Sequence, residues 1–320
     1  MKAIRVSKAG GPEALELVSV EVPEPLPGYV VVEQSYAGVN FIDIYYREGV
    51  YPLPLPATIG SEGSGTIVSV GPGVSDFASG DRVAYTGVLG TYAEYCAVPV
   101  DKLVKIPDGI SDDVAAAAML QGMTAQFLTE SCYPVKRDEI VVVHAAAGGV
   151  GSLVTQLASR KLGAKVVATT STAAKAELAS SFGASFVEEY GTFVARAREL
   201  GGAHVVYDGV GKVTFDDSLT ALRRRGMMVL FGGASGQVPP FDLQRLNTLG
   251  SLYVTRPTLF HYIADRGELL ARAKSVFDSI ARGELEIRVG GVYPLADAHQ
   301  AQRDLASRNT TGKLLLSLSS

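Results

Sequence analysis

The first part of the chain, up to about residue 122, alternates short β-type segments with glycine and proline turns. β-branched and aromatic residues are concentrated in segments 3–6, 29–35, 65–70 and 82–85. Glycine and proline separate these segments, as they commonly do at the ends of strands. Strands at this density predict a mostly antiparallel, barrel-like β domain.

From residue 139 onward, apolar segments of strand length alternate with helical ones. Residues 140–143 form a continuous apolar run, which is typical of a strand buried on both faces. In 150–162, apolar residues recur at helical spacing on Val150, Leu153, Val154, Leu157 and Ala158. Further strands are predicted at 165–170, 185–187, 204–207, 227–231 and 252–255, and further helices at 173–182 and 261–282. This alternation predicts an α/β fold with a doubly wound parallel sheet of the Rossmann type.

The final forty residues return to short β-like pieces, which indicates that the chain comes back to its first domain. We therefore expect a discontinuous β domain over 1–122 and 283–320. A dinucleotide-binding domain is expected between its two parts, over 123–282.

A glycine-rich turn follows the strand predicted at 140–143. Residues 144–151 (HAAAGGVG) lie where that strand becomes a helix. Small residues at such a turn let a pyrophosphate approach the backbone at the helix N-terminus. The match to G-x-G-x-x-G is a variant one, because Ala146 takes the first glycine position. An alanine- and glycine-rich turn without a ligand remains the alternative.

The end of the next predicted strand indicates which dinucleotide is bound. NAD sites usually carry an acidic residue there, about 20 residues past the glycine motif. Residues 152–176 contain neither Asp nor Glu, and the strand instead ends in 169–172 (TTST), followed by Lys175. Hydroxyl groups and a cation suit a 2′-phosphate, so NADPH is favoured. A solvated helix charge is the alternative for Lys175.

Composition narrows the class of protein further. Of the 320 residues, 47% are hydrophobic and 19% are charged, which excludes intrinsic disorder. The net charge of −4 is not typical of a nucleic-acid-binding protein. No apolar stretch reaches the ~20 residues of a membrane span. Residues 1–7 carry charges within their first apolar stretch, unlike a signal peptide, so we expect a cytoplasmic location.

Six segments carry a resemblance to a known family, and together they cover nearly the whole chain in order. They are 37–43 (AGVNFID), 60–65 (GSEGSG), 79–83 (SGDRV), 144–151 (HAAAGGVG), 206–211 (VYDGVG) and 250–257 (GSLYVTRP). The chain resembles the zinc-independent quinone oxidoreductases of the medium-chain dehydrogenase/reductase superfamily, the relatives of ζ-crystallin. The resemblance implies a GroES-like catalytic domain beside a Rossmann domain, with NADPH in the cleft. It also implies a homodimer joined at the Rossmann edge strand near Leu252–Thr255.

The resemblance also implies that two zinc sites are missing. Zinc-dependent relatives have Cys where this chain has Asn40, His where it has Ser61, and another Cys near Gln121. Asn, Ser and Gln are poor replacements for these ligands. The chain contains only Cys96 and Cys132, too few for a four-cysteine structural site. We therefore expect NADPH without zinc.

By the same resemblance, the cofactor contacts are placed at or near the carboxyl ends of predicted strands. They are assigned to Asn40, Thr124, Gly148, Gly149, Val150, Ser171, Lys175, Tyr190, Phe231 and Gly232. Lys313 is expected to be a surface lysine instead.

Hydride delivery without a metal needs hydrogen-bond donors for the acceptor oxygen. Asn40, Tyr45 and Tyr51 are the candidates, as donors or as walls of the acceptor pocket. Asn40 as a cap of a turn and Tyr45 as a half-buried core ring are the alternatives, and Asp43 is equally a candidate helix cap. No side chain is required as general acid, so solvent is expected to supply protons.

The expected activity is reduction of a quinone by NADPH through direct hydride transfer. Reduction of the double bond of a 2-alkenal or enone would use the same hydride geometry, and it remains an alternative. A non-catalytic NADPH- or RNA-binding protein of the crystallin type is the alternative from another class, although the net charge disfavours RNA.

Overall fold

The computed structural model describes residues 1–318, and internal contacts divide the chain into two compact units. The first contains 1–120, 265–277 and 287–320, and the second contains 121–264 and 278–286. Unlike the expected division at 122 and 283, this one assigns 265–277 to the first unit, and the expected domain bounds stay a prediction. No helix within 1–318 is both long enough and apolar enough to cross a membrane.

The secondary structure comprises sixteen strands and ten α-helices within the described residues. The strands are β1 (Lys2–Val6), β2 (Leu15–Ser19), β3 (Tyr29–Val39), β4 (Ala57–Thr58), β5 (Glu62–Val70), β6 (Arg82–Thr86), β7 (Tyr95–Pro99), β8 (Leu103–Lys105), β9 (Ile140–Val143), β10 (Lys165–Thr169), β11 (Phe186–Glu188), β12 (Ala203–Asp208), β13 (Leu222–Leu230), β14 (Tyr253–Thr255), β15 (Val289–Pro294) and β16 (Lys313–Ser317). The helices are α1 (Phe41–Arg47), α2 (Asp112–Phe127), α3 (Gly149–Gln156), α4 (Ala173–Ser181), α5 (Phe193–Glu199), α6 (Phe215–Ala221), α7 (Gln244–Thr248), α8 (Leu259–Tyr262), α9 (Arg266–Ala281) and α10 (Ala298–Ser307).

The first unit is built around a seven-stranded, mostly antiparallel sheet. Its order is β15-β16-β3-β5-β6-β8, and β7 pairs with the first half of β3 while β16 pairs with the second half. Only β15 and β16 run parallel. A smaller sheet has the order β2-β1-β4. The predicted antiparallel β domain is therefore present, and β16 brings the end of the chain into it.

The second unit contains a six-stranded parallel sheet of the order β11-β10-β9-β12-β13-β14. β9 is central in this sheet, with β10 on one side and β12 on the other, and all four of its residues are buried. The apolar core on this sheet is formed largely by Val142, Val167, Val206, Met228 and Phe193. The predicted doubly wound fold is confirmed.

Two predicted segments differ from the structure. The helix predicted over 261–282 is two helices, α8 and α9, because Asp265 caps the second by accepting hydrogen bonds from the backbone N–H groups of Gly267 and Glu268. The final forty residues contain α10, which was missed. Its buried residues are Ala298, Ala301 and Gln302, and Leu305 is partly buried, so the chain there has few of the large apolar residues that usually indicate a helix.

Candidate functional site

The glycine-rich turn connects β9 to α3 at the carboxyl edge of the parallel sheet. Ala145 adopts a positive φ of 51°, and Gly148 precedes the first residue of α3. A Cβ at Gly151 would overlap the carbonyl oxygen of Ala145 and lie 3.0 Å from that of His144, so only glycine fits there. The turn thus brings bare backbone and a helix N-terminus together, which is what a pyrophosphate group requires.

His144 lies beneath this turn and is fully buried. Its Nδ1 is 2.9 Å from the hydroxyl of Thr169 at the end of β10, and its Nε2 is 2.9 Å from the hydroxyl of Ser218 in α6. Burial lowers the pKa of His144, and the nearby Asp208 and Asp217 oppose this shift. The sequence placed His144 in the motif without giving it a role.

Tyr190 follows β11, and the structure brings it to the same turn. Its ring stacks on that of His144, with centroids 5.7 Å apart and an interplanar angle of 24°. Its hydroxyl accepts a hydrogen bond of 3.2 Å from the backbone N–H of Ala145. Tyr190 therefore lies at the same turn as Gly148, Gly149 and Val150, three other residues assigned to the cofactor.

The end of β10 carries the residues predicted to select the cofactor. Thr169 and Thr170 are buried, whereas Ser171 is exposed. Thr172 caps α4 by accepting a hydrogen bond of 3.3 Å from the backbone N–H of Lys175. Lys175 therefore lies in the first turn of α4, partly exposed, at the carboxyl edge of the sheet.

A second loop at this edge is formed around Asp208, the last residue of β12. Its Oδ1 accepts hydrogen bonds from the backbone N–H groups of Val210 and Gly211, at 2.8 and 2.9 Å. A Cβ at Gly232 would lie only 2.6 Å from the carbonyl oxygen of Gly209, so this loop packs tightly against the residues after β13. Phe231 and Gly232 are half-buried there, and Thr124 is half-buried on α2.

The residues assigned to the acceptor lie in the first unit, at the start of α1 and just after it. Asn40 caps α1. The rings of Tyr45 and Tyr51 meet edge to face with centroids 5.5 Å apart, and Tyr46 contacts Tyr51 in the same way at 5.8 Å. Tyr51 is 37% exposed, so the group presents an accessible aromatic face.

A buried ion pair that the sequence did not predict holds the side chain of Asn40. The Nζ of Lys313 donates hydrogen bonds to Oε2 of Glu62 at 2.5 Å and to Oδ1 of Asn40 at 2.6 Å. The Nδ2 of Asn40 donates to the same Glu62 oxygen at 3.0 Å and to the carbonyl of Gly38 at 3.3 Å. Both hydrogens of the Asn40 amide are therefore in use within the protein.

The expectation that Lys313 is a surface lysine is wrong. Its side chain is 1% exposed, and that of Glu62 is fully buried. Gly38 makes room for the pair, since a Cβ there would lie 2.9 Å from Cε of Lys313. The signals available in the sequence were a charge at the head of the apolar run 314–316 and a charge among the glycines of 60–65.

Asp43 is a second buried carboxyl group beside this cluster. It accepts hydrogen bonds from the Asn40 backbone N–H at 2.9 Å, the Ser61 hydroxyl at 2.8 Å and the Tyr92 hydroxyl at 3.0 Å. Burial raises the pKa of Asp43 to about 6, although these donors and Lys313 oppose the shift. Asp43 and Asn40 form the capping box of α1, so the capping alternative considered for both residues describes their structure.

Comparisons with known proteins agree with this architecture. Residues 26–108 match the alcohol dehydrogenase GroES-like domain family, and residues 149–274 match the zinc-binding dehydrogenase family. A quinone oxidoreductase of Pseudomonas aeruginosa is 44% identical over 98% of this chain and 99% of its own. A mycobacterial protein solved in complex with NADPH is 47% identical, with a TM-score of 0.96 over 99% of this chain and all of its own. A 2-haloacrylate reductase of Burkholderia is 40% identical over 97% of each chain.

The two domain types and the glycine turn define a medium-chain dehydrogenase/reductase. Within that superfamily, the full-length identities show that the chain belongs to the quinone oxidoreductases, as its six sequence segments indicated.

Proposed function

We propose that this protein reduces a quinone with NADPH by direct hydride transfer and without a metal ion. The observation that carries the proposal is the turn of 144–151, whose bare backbone leads into α3 while the adjoining strand end offers hydroxyls and Lys175 in place of an acid. The quinone oxidoreductase relatives and the NADPH complex of a 47% identical protein support it.

The residues present fit NADPH. We propose that the backbone of Gly148, Gly149 and Val150 holds the pyrophosphate, and that Ser171 and Lys175 hold the 2′-phosphate. Tyr190 would lie against the adenosine phosphate. Asn40, Thr124, Phe231 and Gly232 are proposed for the nicotinamide side of the cofactor. When bound, NADPH supplies the hydride, and one proton from solvent completes the conversion of quinone to hydroquinone.

The acceptor is proposed to lie against the aromatic face formed by Tyr45 and Tyr51. Flat rings stack well on such faces. Because both amide hydrogens of Asn40 are held by Glu62 and Gly38, we propose that Asn40 shapes this site rather than donating to the acceptor oxygen. Tyrosine hydroxyl groups are then the donors proposed for that oxygen.

Zinc independence is supported by the side chains at the positions where zinc-dependent relatives have ligands. The side chain of Asn40 is hydrogen-bonded to Lys313 and Glu62, and that of Ser61 is hydrogen-bonded to Asp43. Within residues 1–318, no group of three or more His, Cys, Asp and Glu side chains is arranged to hold a metal ion. We expect turnover of a naphthoquinone to be unchanged after exhaustive chelation; restoration of activity by added zinc would contradict this proposal.

The cofactor preference is tested by Lys175→Ala. We expect NADPH to bind about 10- to 100-fold more weakly, because a charge-assisted contact to the 2′-phosphate is lost, while NADH binding changes less than about twofold. Lys165→Ala is the matched control, since Lys165 is exposed at the amino end of β10, the strand whose carboxyl end precedes Lys175. Equal losses for the two cofactors would contradict the assignment of Lys175.

Reduction of an activated double bond is the second candidate, and the 2-haloacrylate reductase relative favours it. Rates with a naphthoquinone and with an enone at matched concentrations separate the two activities. A faster enone reaction would make double-bond reduction the main one.

A homodimer is also proposed, through β14 at the edge of the parallel sheet. Within residues 1–318, β14 is the last strand of this sheet and has β13 as its neighbour, and its Tyr253 and Val254 are 56% and 37% exposed. An exposed edge with apolar side chains favours pairing with another strand. Light scattering should give the mass of two chains, and the mass of one chain would contradict the proposal.

A cytoplasmic location stays a prediction, to be tested by cell fractionation.

A further inference from the structure

A chain of four buried polar side chains runs beneath the glycine turn. It links Thr169, His144, Ser218 and Asp208, with separations of 2.9, 2.9 and 3.0 Å between successive polar atoms. All four residues are at most 1% exposed. Thr169 ends β10, His144 follows β9 and Asp208 ends β12, so the chain crosses the carboxyl ends of three adjacent strands.

The direction of each hydrogen bond follows from Asp208. The backbone N–H groups of Val210 and Gly211 point at Oδ1, and the hydroxyl of Thr214 lies 2.7 Å from Oδ2. The carboxylate accepts from all of them, and it accepts from the hydroxyl of Ser218 as well.

The protonation of the imidazole follows in turn. Since the Ser218 hydrogen is directed to Asp208, its oxygen accepts from Nε2 of His144. Nε2 therefore carries the ring proton, and Nδ1 accepts from the hydroxyl of Thr169. His144 is thus neutral, with both ring nitrogens satisfied, in agreement with the lowering of its pKa by burial.

The fixed imidazole supports two elements assigned to the cofactor. Tyr190 stacks on one side of it, and Phe193 meets it edge to face with ring centroids 4.8 Å apart. The hydroxyl of Tyr190 in turn binds the N–H of Ala145, the residue with positive φ in the turn. A rotation of the His144 ring would displace both Tyr190 and the backbone against which Gly151 packs.

We propose that His144 is a positioning residue for NADPH, held by Thr169 and Ser218 in one tautomer so that Tyr190 and the glycine turn are set for the cofactor. This inference rests on the proposed use of NADPH. It predicts an effect on cofactor affinity rather than on the hydride step, because none of these three side chains is proposed to touch the reacting atoms.

The test uses Thr169→Val and Ser218→Ala, which remove one hydroxyl each from the two ends of the imidazole. We expect the Kd of NADPH, measured by calorimetric titration, to rise about 10-fold in each variant, as expected for a lost hydrogen bond. The KM for NADPH should rise in parallel while kcat stays within about twofold. Thr169→Ser keeps the hydroxyl and should restore affinity.

Thr129→Val is the matched control. Thr129 is equally buried in the same unit, but its hydroxyl donates to the backbone carbonyl of Ala125, away from the imidazole. We expect it to lower stability without changing the Kd. Unchanged affinity in both Thr169→Val and Ser218→Ala would overturn the inference alone, whereas a wild-type protein that does not bind NADPH would overturn the proposed function with it.

A second measurement determines the tautomer of His144 in the wild-type protein. Long-range ¹⁵N–¹H NMR of the imidazoles distinguishes the two neutral tautomers, and the His144 signal is identified by its loss in His144→Gln. We expect a proton on Nε2 at neutral pH, with or without NADPH. A proton on Nδ1, or a mixture of tautomers, would contradict the proposed hydrogen-bond chain.

Discussion

Removal of the Lys313 ammonium group is expected to be one of the most destabilising single changes in the first unit. Lys313→Met keeps a similar length but leaves the carboxylate of Glu62 without its charged partner. Both side chains are almost completely buried, and the pair is 2.5 Å apart. Loss of one member of a buried ion pair costs about 3–5 kcal/mol, because the remaining charge stays desolvated.

The assay is urea unfolding of wild type, Lys313→Met, Glu62→Gln and the double variant. Neutralising Glu62 in the Lys313→Met background removes the unpaired charge, and its amide oxygen can still accept from the backbone N–H of Leu120. We therefore expect the double variant to recover about 2 kcal/mol or more relative to Lys313→Met.

The pair formed by Lys161 and Glu130 provides the control. It has a similar separation of 2.6 Å, but the two side chains are 21% and 24% exposed. Lys161→Met should therefore cost only about 1 kcal/mol or less, because solvent compensates the remaining charge. A loss of stability in Lys313→Met no larger than that in Lys161→Met would contradict this prediction, as would a double variant that is less stable than both single variants.

Three further predictions concern Asp43, the glycine turn and β14. Because the pKa of Asp43 is raised from 3.8 to about 6, its protonation stabilises the fold at low pH, and this stabilisation is lost as the pH rises through about 6. Between pH 4 and 7.5, the free energy of unfolding of Asp43→Asn in urea should therefore increase by up to about 3 kcal/mol relative to wild type. A difference between the two proteins that stays constant over this pH range would refute the prediction. Gly151→Ala should weaken the binding of NADPH at least about tenfold in a fluorescence titration, since the added Cβ would overlap Ala145. A Cβ at Gly191 would meet nothing within 4 Å, so Gly191→Ala should bind NADPH normally. Equal affinities of the two variants would refute the steric argument. Val254→Lys should shift the mass from light scattering toward one chain, because a charge on an edge strand opposes pairing; an unchanged dimer would place the interface elsewhere.

The features that could be predicted well from the sequence are those that depend on neighbouring residues. The four apolar residues of β9 and the small residues after them indicate a buried strand and a close backbone approach within a dozen positions. The absence of an acid between 152 and 176 is equally local. Such signals do not depend on which distant part of the chain packs nearby.

The features that were missed depend on distant partners or on small side chains. Lys313 and Glu62 are 251 positions apart, and His144 and Ser218 are 74 positions apart, so neither pairing has a local pattern. α10 is amphipathic, but its apolar residues are mostly small. Its apolar face against β1 and β16 is formed largely by alanine, and the burial of that face is provided by the sheet.

The environment of Asn40 also bears on the proposed independence of zinc. From the sequence, Asn40 is only a residue that binds zinc poorly. In the structure it lies between an ammonium group and a carboxylate, with its oxygen on Lys313 and its amide hydrogens on Glu62 and Gly38. A divalent ion placed there would have to compete with a buried lysine for the same two oxygen atoms, and a fixed positive charge within a few ångströms opposes a second cation. The metal independence proposed for this protein is therefore better explained by a lysine that holds the oxygen atoms than by missing ligands alone. Lys313→Met is accordingly the variant in which uptake of Zn²⁺ or Co²⁺ should first become measurable, and equal uptake by wild type would refute this explanation.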